Sequence, residues 1–157
     1  MTPSEYQNPI LCADYSDPDI VRVGDDFFMV SSSFNHVPAL PILHSTDLVN
    51  WTIINHVMDE LPLPGYDRYQ PGKGVWAPSI RWHDGKLWVC FSTPDEGIFI
   101  CHTEDPWGKW SAPHCLREAR GWIDPCPFWD DNGQAWLVHA FAHSRSGIKH
   151  KLQLFAM

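Results

Sequence analysis

The sequence has no Cys-x-x-Cys spacing, no long apolar run, no excess of basic charge and no helical periodicity. Each absence closes off a class. The five cysteines (Cys12, Cys90, Cys101, Cys115, Cys126) are odd in number, and three stand inside apolar stretches. They read as buried free thiols packed as small hydrophobes, not as a disulfide framework. The opening MTPSEYQNPIL carries no basic segment leading into an apolar one. Neither a secretory leader nor a membrane span is visible, and the expected location is the cytoplasm. With 11 Lys+Arg against 19 Asp+Glu the formal charge is -8, which repels a polyanion such as nucleic acid. A neutral partner fits better. None of the nine histidines forms a His-x-x-x-His pair in a strand or helix context suited to zinc, so no metal site is expected.

What is present is repetition. Three stretches share one layout: DPDIVRVGDDFFMVSSS from Asp17, APSIRWHDGKLWVCFST from Ala77 and DPCPFWDDNGQAWLVHAF from Asp124. Each opens on a residue before proline, runs through a short apolar strand, turns at Gly, Asp or Asn, and re-enters a strand rich in aromatic and branched residues. Each predicts a β-hairpin. Outer strands follow, with Ile42-Leu43-His44-Ser45 answering Ile100-Cys101-His102-Thr103, and the third unit reaches HKLQLFAM. Four short strands per repeat, with pivots at Pro18, Pro78 and Pro125, indicate propeller blades. The expected fold is all-β, about two and a half blades, with blades at roughly 14–60, 61–118 and an incomplete 119–157. Propellers close with about four to eight blades, so this chain reads as the N-terminal part of a longer protein.

The first strand of a propeller blade lines the central axis. Asp17, Ala77 and Asp124 hold equivalent positions, so two carboxylates from separate blades, with a small alanine between, are expected to face one cavity. A residue before proline is expected to be extended, fixing where its side chain points. Two carboxylates flanking a pocket are the minimum equipment for glycoside hydrolysis, in which one activates water or attacks the sugar and a carboxylic acid protonates the leaving oxygen. Singly, an Asp-Pro is more often a turn device. Recurrence at the axial position favours function for Asp17 and Asp124. Asp14 and Asp19 lack that support and read as turn-stabilising and solvent-facing.

Six of the nine tryptophans are sorted by the same repeat, while Trp76, Trp107 and Trp122 have no equivalents in it. Trp88 and Trp136 align with Phe28, Trp82 with Trp129, and Trp51 with Trp110, which marks them as core packing. Trp76 has no aromatic counterpart and precedes Ala77 at the cavity, where its face could stack on a sugar ring; Phe34 could form another wall. Arg145, in SRSGIKH, reads as part of a solvated loop.

Taken together, NPIL leading into DYSDPDIVRVGDDFFMV, then ALPILHSTDLVNW, GVWAPSIRWHDGKLWVCFST and WIDPCPFWDDNGQAWLVHAF resemble glycoside hydrolase family 43 over essentially the whole chain. The resemblance implies a five-bladed β-propeller and an inverting β-xylosidase or α-L-arabinofuranosidase, with β-xylosidase favoured. Its partner would be a small oligosaccharide. It further implies that Asp17 is the general base, that Asp124 adjusts the pKa and orientation of the acid, and that Phe34, Trp76 and Ala77 shape the pocket for the terminal sugar. The glutamate general acid of the family lies on the next blade. None of Glu5, Glu60, Glu96, Glu104 or Glu118 is axial, so the chain alone is expected to be inactive. Family members sometimes carry a central calcium, whose surroundings come from later blades, so no cofactor is assigned to this chain. The alternatives are a carbohydrate-binding propeller without turnover and a truncation product that does not fold stably.

Overall fold

The computed structural model describes residues 5–35, 37–68 and 70–157, which form three antiparallel sheets and one helical turn. Strands β1 (Asp19–Val23), β2 (Asp26–Val30), β3 (Ala39–Ser45) and β4 (Thr52–Met58) make the first sheet in chain order. The second has the same order in β5 (Trp76–His83), β6 (Lys86–Thr93), β7 (Gly97–Thr103) and β8 (His114–Glu118). In the third, β9 (Trp122–Trp129), β10 (Ala135–Phe141) and β11 (Gln153–Ala156) are present, with helical turn α1 (His143–Ser146) between the last two. Among the described residues, eleven strands in meandering sheets of four, four and three are successive blades of a propeller.

The hairpins form because the turn residues suit them. Asp84 and Gly85, between paired His83 and Lys86, have φ 49° and 73°, the two left-handed residues of a type I′ turn that matches strand twist. In the third blade Asp130 does the same work through its side chain: Oδ1 accepts from Asn132 N and Gln134 N, and Oδ2 from Trp136 Nε1 at 2.9 Å. These bonds, that to Trp136 first, hold the Asp130 carboxyl below its ordinary pKa.

The repeat is visible in packing as well as order. Strands β3 and β7 share one burial pattern, buried throughout except at the sixth residue, and the cross-strand pairs Phe28–His44 and Trp88–His102 meet at a tilt with centroids 5.3 and 4.8 Å apart. Between the first two blades lies a core that includes Val30, Leu40, Ile42, Val75, Ile80 and Phe91. A smaller cluster of Cys90, Ile98, Ile100 and Leu137 joins the second to the third. Cys90 and Cys101 are buried, and desolvation pushes the Cys101 thiol up to about 12. Cys12, by contrast, is exposed, and Cys115 and Cys126 are half-buried. Trp110 and Phe28 are core residues, whereas Trp82 is 43% exposed, two positions before the Asp84 turn at the rim of its blade. Core packing does not extend to it.

Inner strands are tied by polar side chains. Asp19 is half-buried and not solvent-facing: its Oδ2 accepts from Ile80 N at 2.9 Å and from Arg81 Nη1 at 2.5 Å. Arg81 Nη2 in turn reaches Cys126 Sγ at 2.8 Å, so one guanidinium links three blades. Ser79 Oγ donates to Pro125 O at 2.6 Å. Asp14 is exposed. Asp19→Ala leaves a backbone N–H and a guanidinium short of their acceptor between blades and is expected to cost about 2–3 kcal/mol in urea unfolding. Asp25→Ala, which removes an ion pair to Arg22 on the open surface, is the control expected to change nothing measurable.

Candidate functional site

The three pivots share a backbone device. In the second blade Trp76 pairs with Ser92 and Ser79 with Cys90, so Ala77 and Pro78 together oppose Phe91. In the third, Ile123 pairs with Ala140 and Cys126 with Val138, so Asp124 and Pro125 oppose His139. In the first, Asp19 pairs with Val30 while Ser32 N donates to Ser16 O at 3.0 Å, which sets Asp17 and Pro18 against Ser31. Each is a β-bulge. Its first residue is left-handed, with φ 50° at Asp17, 28° at Ala77 and 54° at Asp124. The extended backbone expected before proline is therefore not adopted. The bulge overrides it, because an inserted residue in a strand pair takes its turn from the first bulge position. Left-handed Ala and Asp each cost about 1–3 kcal/mol, and such strain clusters where a side chain is aimed for function.

Aiming is what the bulges accomplish. Both aspartates are exposed, Asp17 two residues ahead of β1 and Asp124 inside β9. Partial desolvation, and secondly the negative charge of Asp17, push the Asp124 carboxyl above its ordinary pKa. Two carboxylates from different blades are thus close enough to feel each other. A carboxyl whose folded pKa lies above its unfolded value favours folding below the unfolded value, and that contribution is lost as pH rises through the folded pKa. Ionising Asp124 therefore works against the fold, and protonating it works with it. Asp17 is fixed by Ser32, whose Oγ donates to Asp17 Oδ2 at 2.8 Å and accepts from Ala77 N at 2.9 Å. Ser32 joins two pivots, and the Ser31-Ser32-Ser33 run closing the first hairpin was the signal that could have marked it.

Phe34 and Trp76 meet edge to face, 5.7 Å between centroids at 78°, and both are half-buried beside Ala77. The side of Phe34 also lines a pocket of about 250 Å³ with Tyr66, Val37 and Leu61. Arg145 is not in a solvated loop. It sits in α1 with its guanidinium over the Trp76 ring at 5.4 Å. Sequence spacing gave no hint of a contact across 69 residues.

No glutamate of the chain occupies a bulge position. Glu96 sits in the β6–β7 turn and accepts from Tyr66 Oη at 2.9 Å, Glu104 pairs with Lys86 at 3.4 Å, and Glu118 ends the outer strand β8. Among the described residues no three His, Cys, Asp or Glu side chains converge as a cation site. Among the described residues no helix is long and apolar enough to cross a membrane.

The pattern of Glycosyl hydrolases family 43 matches residues 6–157. The chain belongs to that family. Among family 43 relatives it is 42% identical over 137 residues to a xylosidase/arabinosidase of Butyrivibrio fibrisolvens, covering 83% of this chain and 26% of that protein. It is 38% identical over 140 residues to a β-xylosidase of Formosa agariphila, covering 85% of this chain and 24% of that protein. In structure it resembles the xylan β-1,4-xylosidase of Bacillus halodurans C-125, with TM-score 0.81 and 31% identity, over 97% of this chain and 31% of that one. The chain spans about a quarter of the length of these curated relatives. Its three sheets are thus a partial family 43 five-bladed propeller.

Proposed function

We propose that this chain carries the base-bearing blades of an inverting glycoside hydrolase that removes terminal xylose from hemicellulose-derived oligosaccharides. The observation that supports this best is the pair of left-handed aspartates, Asp17 and Asp124, with the charge of the first felt at the second. Asp17 accepts a proton from the water that attacks the anomeric carbon, while Ser32 holds the carboxylate oriented. Asp124 faces the acid that protonates the leaving oxygen; a negative neighbour there keeps that acid protonated to a higher pH. Phe34 and Trp76 offer an apolar corner for one sugar face, and Ala77 leaves room where a larger side chain would intrude.

The proton donor belongs to a further blade, so the 157-residue chain is proposed to be inactive alone. Xylosidase and arabinosidase names among the relatives support a terminal pentose as substrate, with arabinofuranosides second. The contrasting reading is a sugar-binding propeller without turnover, in which the two aspartates only hydrogen-bond sugar hydroxyls. Assay of aryl β-D-xylopyranoside and aryl α-L-arabinofuranoside, using the chain extended through the blades that close the ring, decides between them. Turnover that depends on Asp17 supports the hydrolase; none with either glycoside supports the binder.

A further inference from the structure

Trp76 is the sugar-facing candidate whose orientation is least explained by its own bonds. Its Nε1 is buried with no acceptor in hydrogen-bonding range among the described residues, so none of them gives the indole a polar tether. Its position is set through its faces and edges, by Phe34 on one side and the Arg145 guanidinium, 5.4 Å from the ring centroid, on another. Arg145 is itself held. Asp95, in the β6–β7 turn, draws in Arg145 Nε at 3.7 Å, Arg120 Nε at 3.2 Å and Lys73 Nζ at 3.7 Å. Backbone bonds seat these segments together: Gly121 N donates to Pro94 O and Ala142 N to Gly121 O, each at 2.8 Å. A Cβ on Gly121 would lie 2.9 Å from Arg145 Cβ, so the arginine's helical turn is packed directly on this loop.

The geometry points to Asp95 and Arg145 as positioning residues: a carboxylate on the second blade pins an arginine of the third, which presses Trp76 into its sugar-stacking orientation. This deepens the function proposed above, since it gives Trp76 a pentose to stack on. Among the described residues one carboxylate faces three cations, and of these only the planar guanidinium of Arg145 also covers an aromatic ring. The arrangement therefore serves the ring and not merely charge balance. Lysine at position 145 keeps the charge and loses the flat contact.

The test uses the 157-residue chain labelled with 5-fluorotryptophan, the Trp76 signal being assigned with Trp76→Phe. Arg145→Met and Asp95→Asn are expected to shift or broaden that one ¹⁹F resonance. Both are also expected to weaken D-xylose binding, followed by titration, roughly threefold to tenfold. Arg145→Lys should fall between wild type and Arg145→Met in both readouts. Far-ultraviolet dichroism confirms folding, and should Asp95→Asn fail to fold, the two position-145 variants decide alone. An unmoved Trp76 resonance in folded Arg145→Met overturns the proposal. A wild-type chain that binds no D-xylose counts against the pentose reading instead, while the resonance, which needs no sugar, still reports on the clamp.

Discussion

Asp17→Asn is expected to lower kcat on aryl β-D-xylopyranoside by on the order of 10²–10⁴-fold, with KM nearly unchanged, in the chain extended to a closed ring. Asparagine has the same shape and can still bond to Ser32, which donates to the carboxylate at 2.8 Å. It also tolerates the left-handed backbone found there at φ 50°. What it cannot do is take a proton from water. A loss confined to kcat separates a missing base from a collapsed pocket, because collapse would raise KM as well. Steady-state kinetics at saturating substrate read the difference, and a variant with the parent rate would remove Asp17 from the reaction.

Gly97→Ala is the substitution expected to damage the fold most. Gly97 opens β7 with φ 148°, a conformation side chains rarely adopt. A Cβ there would overlap the carbonyl oxygen of Arg117 and lie 3.0 Å from Ala119 N, both backbone atoms. Relief requires parting β7 from β8, where Gly97 opposes Glu118 and Ile98 opposes Arg117. A loss above about 4 kcal/mol is expected, a large share of the 5–15 kcal/mol that holds a typical domain together. Gly24→Ala is the matched control. At φ 64° with nothing within 4 Å of its Cβ, it should cost only the left-handed penalty, about 1–2 kcal/mol. Urea unfolding followed by tryptophan fluorescence compares the two, and near-equal midpoints would mean that the β7–β8 contact has slack.

Periodic features were legible in the sequence because blades repeat the same burial problem. The three hairpins, the matched strands around His44 and His102, and the equivalence of Asp17, Ala77 and Asp124 all follow from apolar alternation and turn residues at fixed offsets. Features that couple blades were not legible. Asp19 looks like a surface charge until Arg81, 62 positions on, is folded against it. Arg145 looks like a loop residue until α1 is laid over Trp76. The backbone at the pivots misled for a different reason: the preference of a residue before proline is local, whereas a bulge is a property of two paired strands. The equivalence of the three pivots survives the wrong dihedral, since Asp17, Ala77 and Asp124 share one left-handed backbone whichever way the chain was expected to turn.

The claim beneath the proposed chemistry is that Asp17 and Asp124 look into one hollow. Carbon-detected NMR titration of the Asp124 carboxyl, in the 157-residue chain and in its Asp17→Asn variant, measures this without requiring turnover. The expected Asp124 pKa lies above the ordinary carboxylate value in the parent. It should fall in the variant as the neighbouring charge is removed, and remain somewhat raised because desolvation persists. An Asp124 pKa identical in the two proteins would place the carboxylates in separate electrostatic surroundings and contradict a shared site.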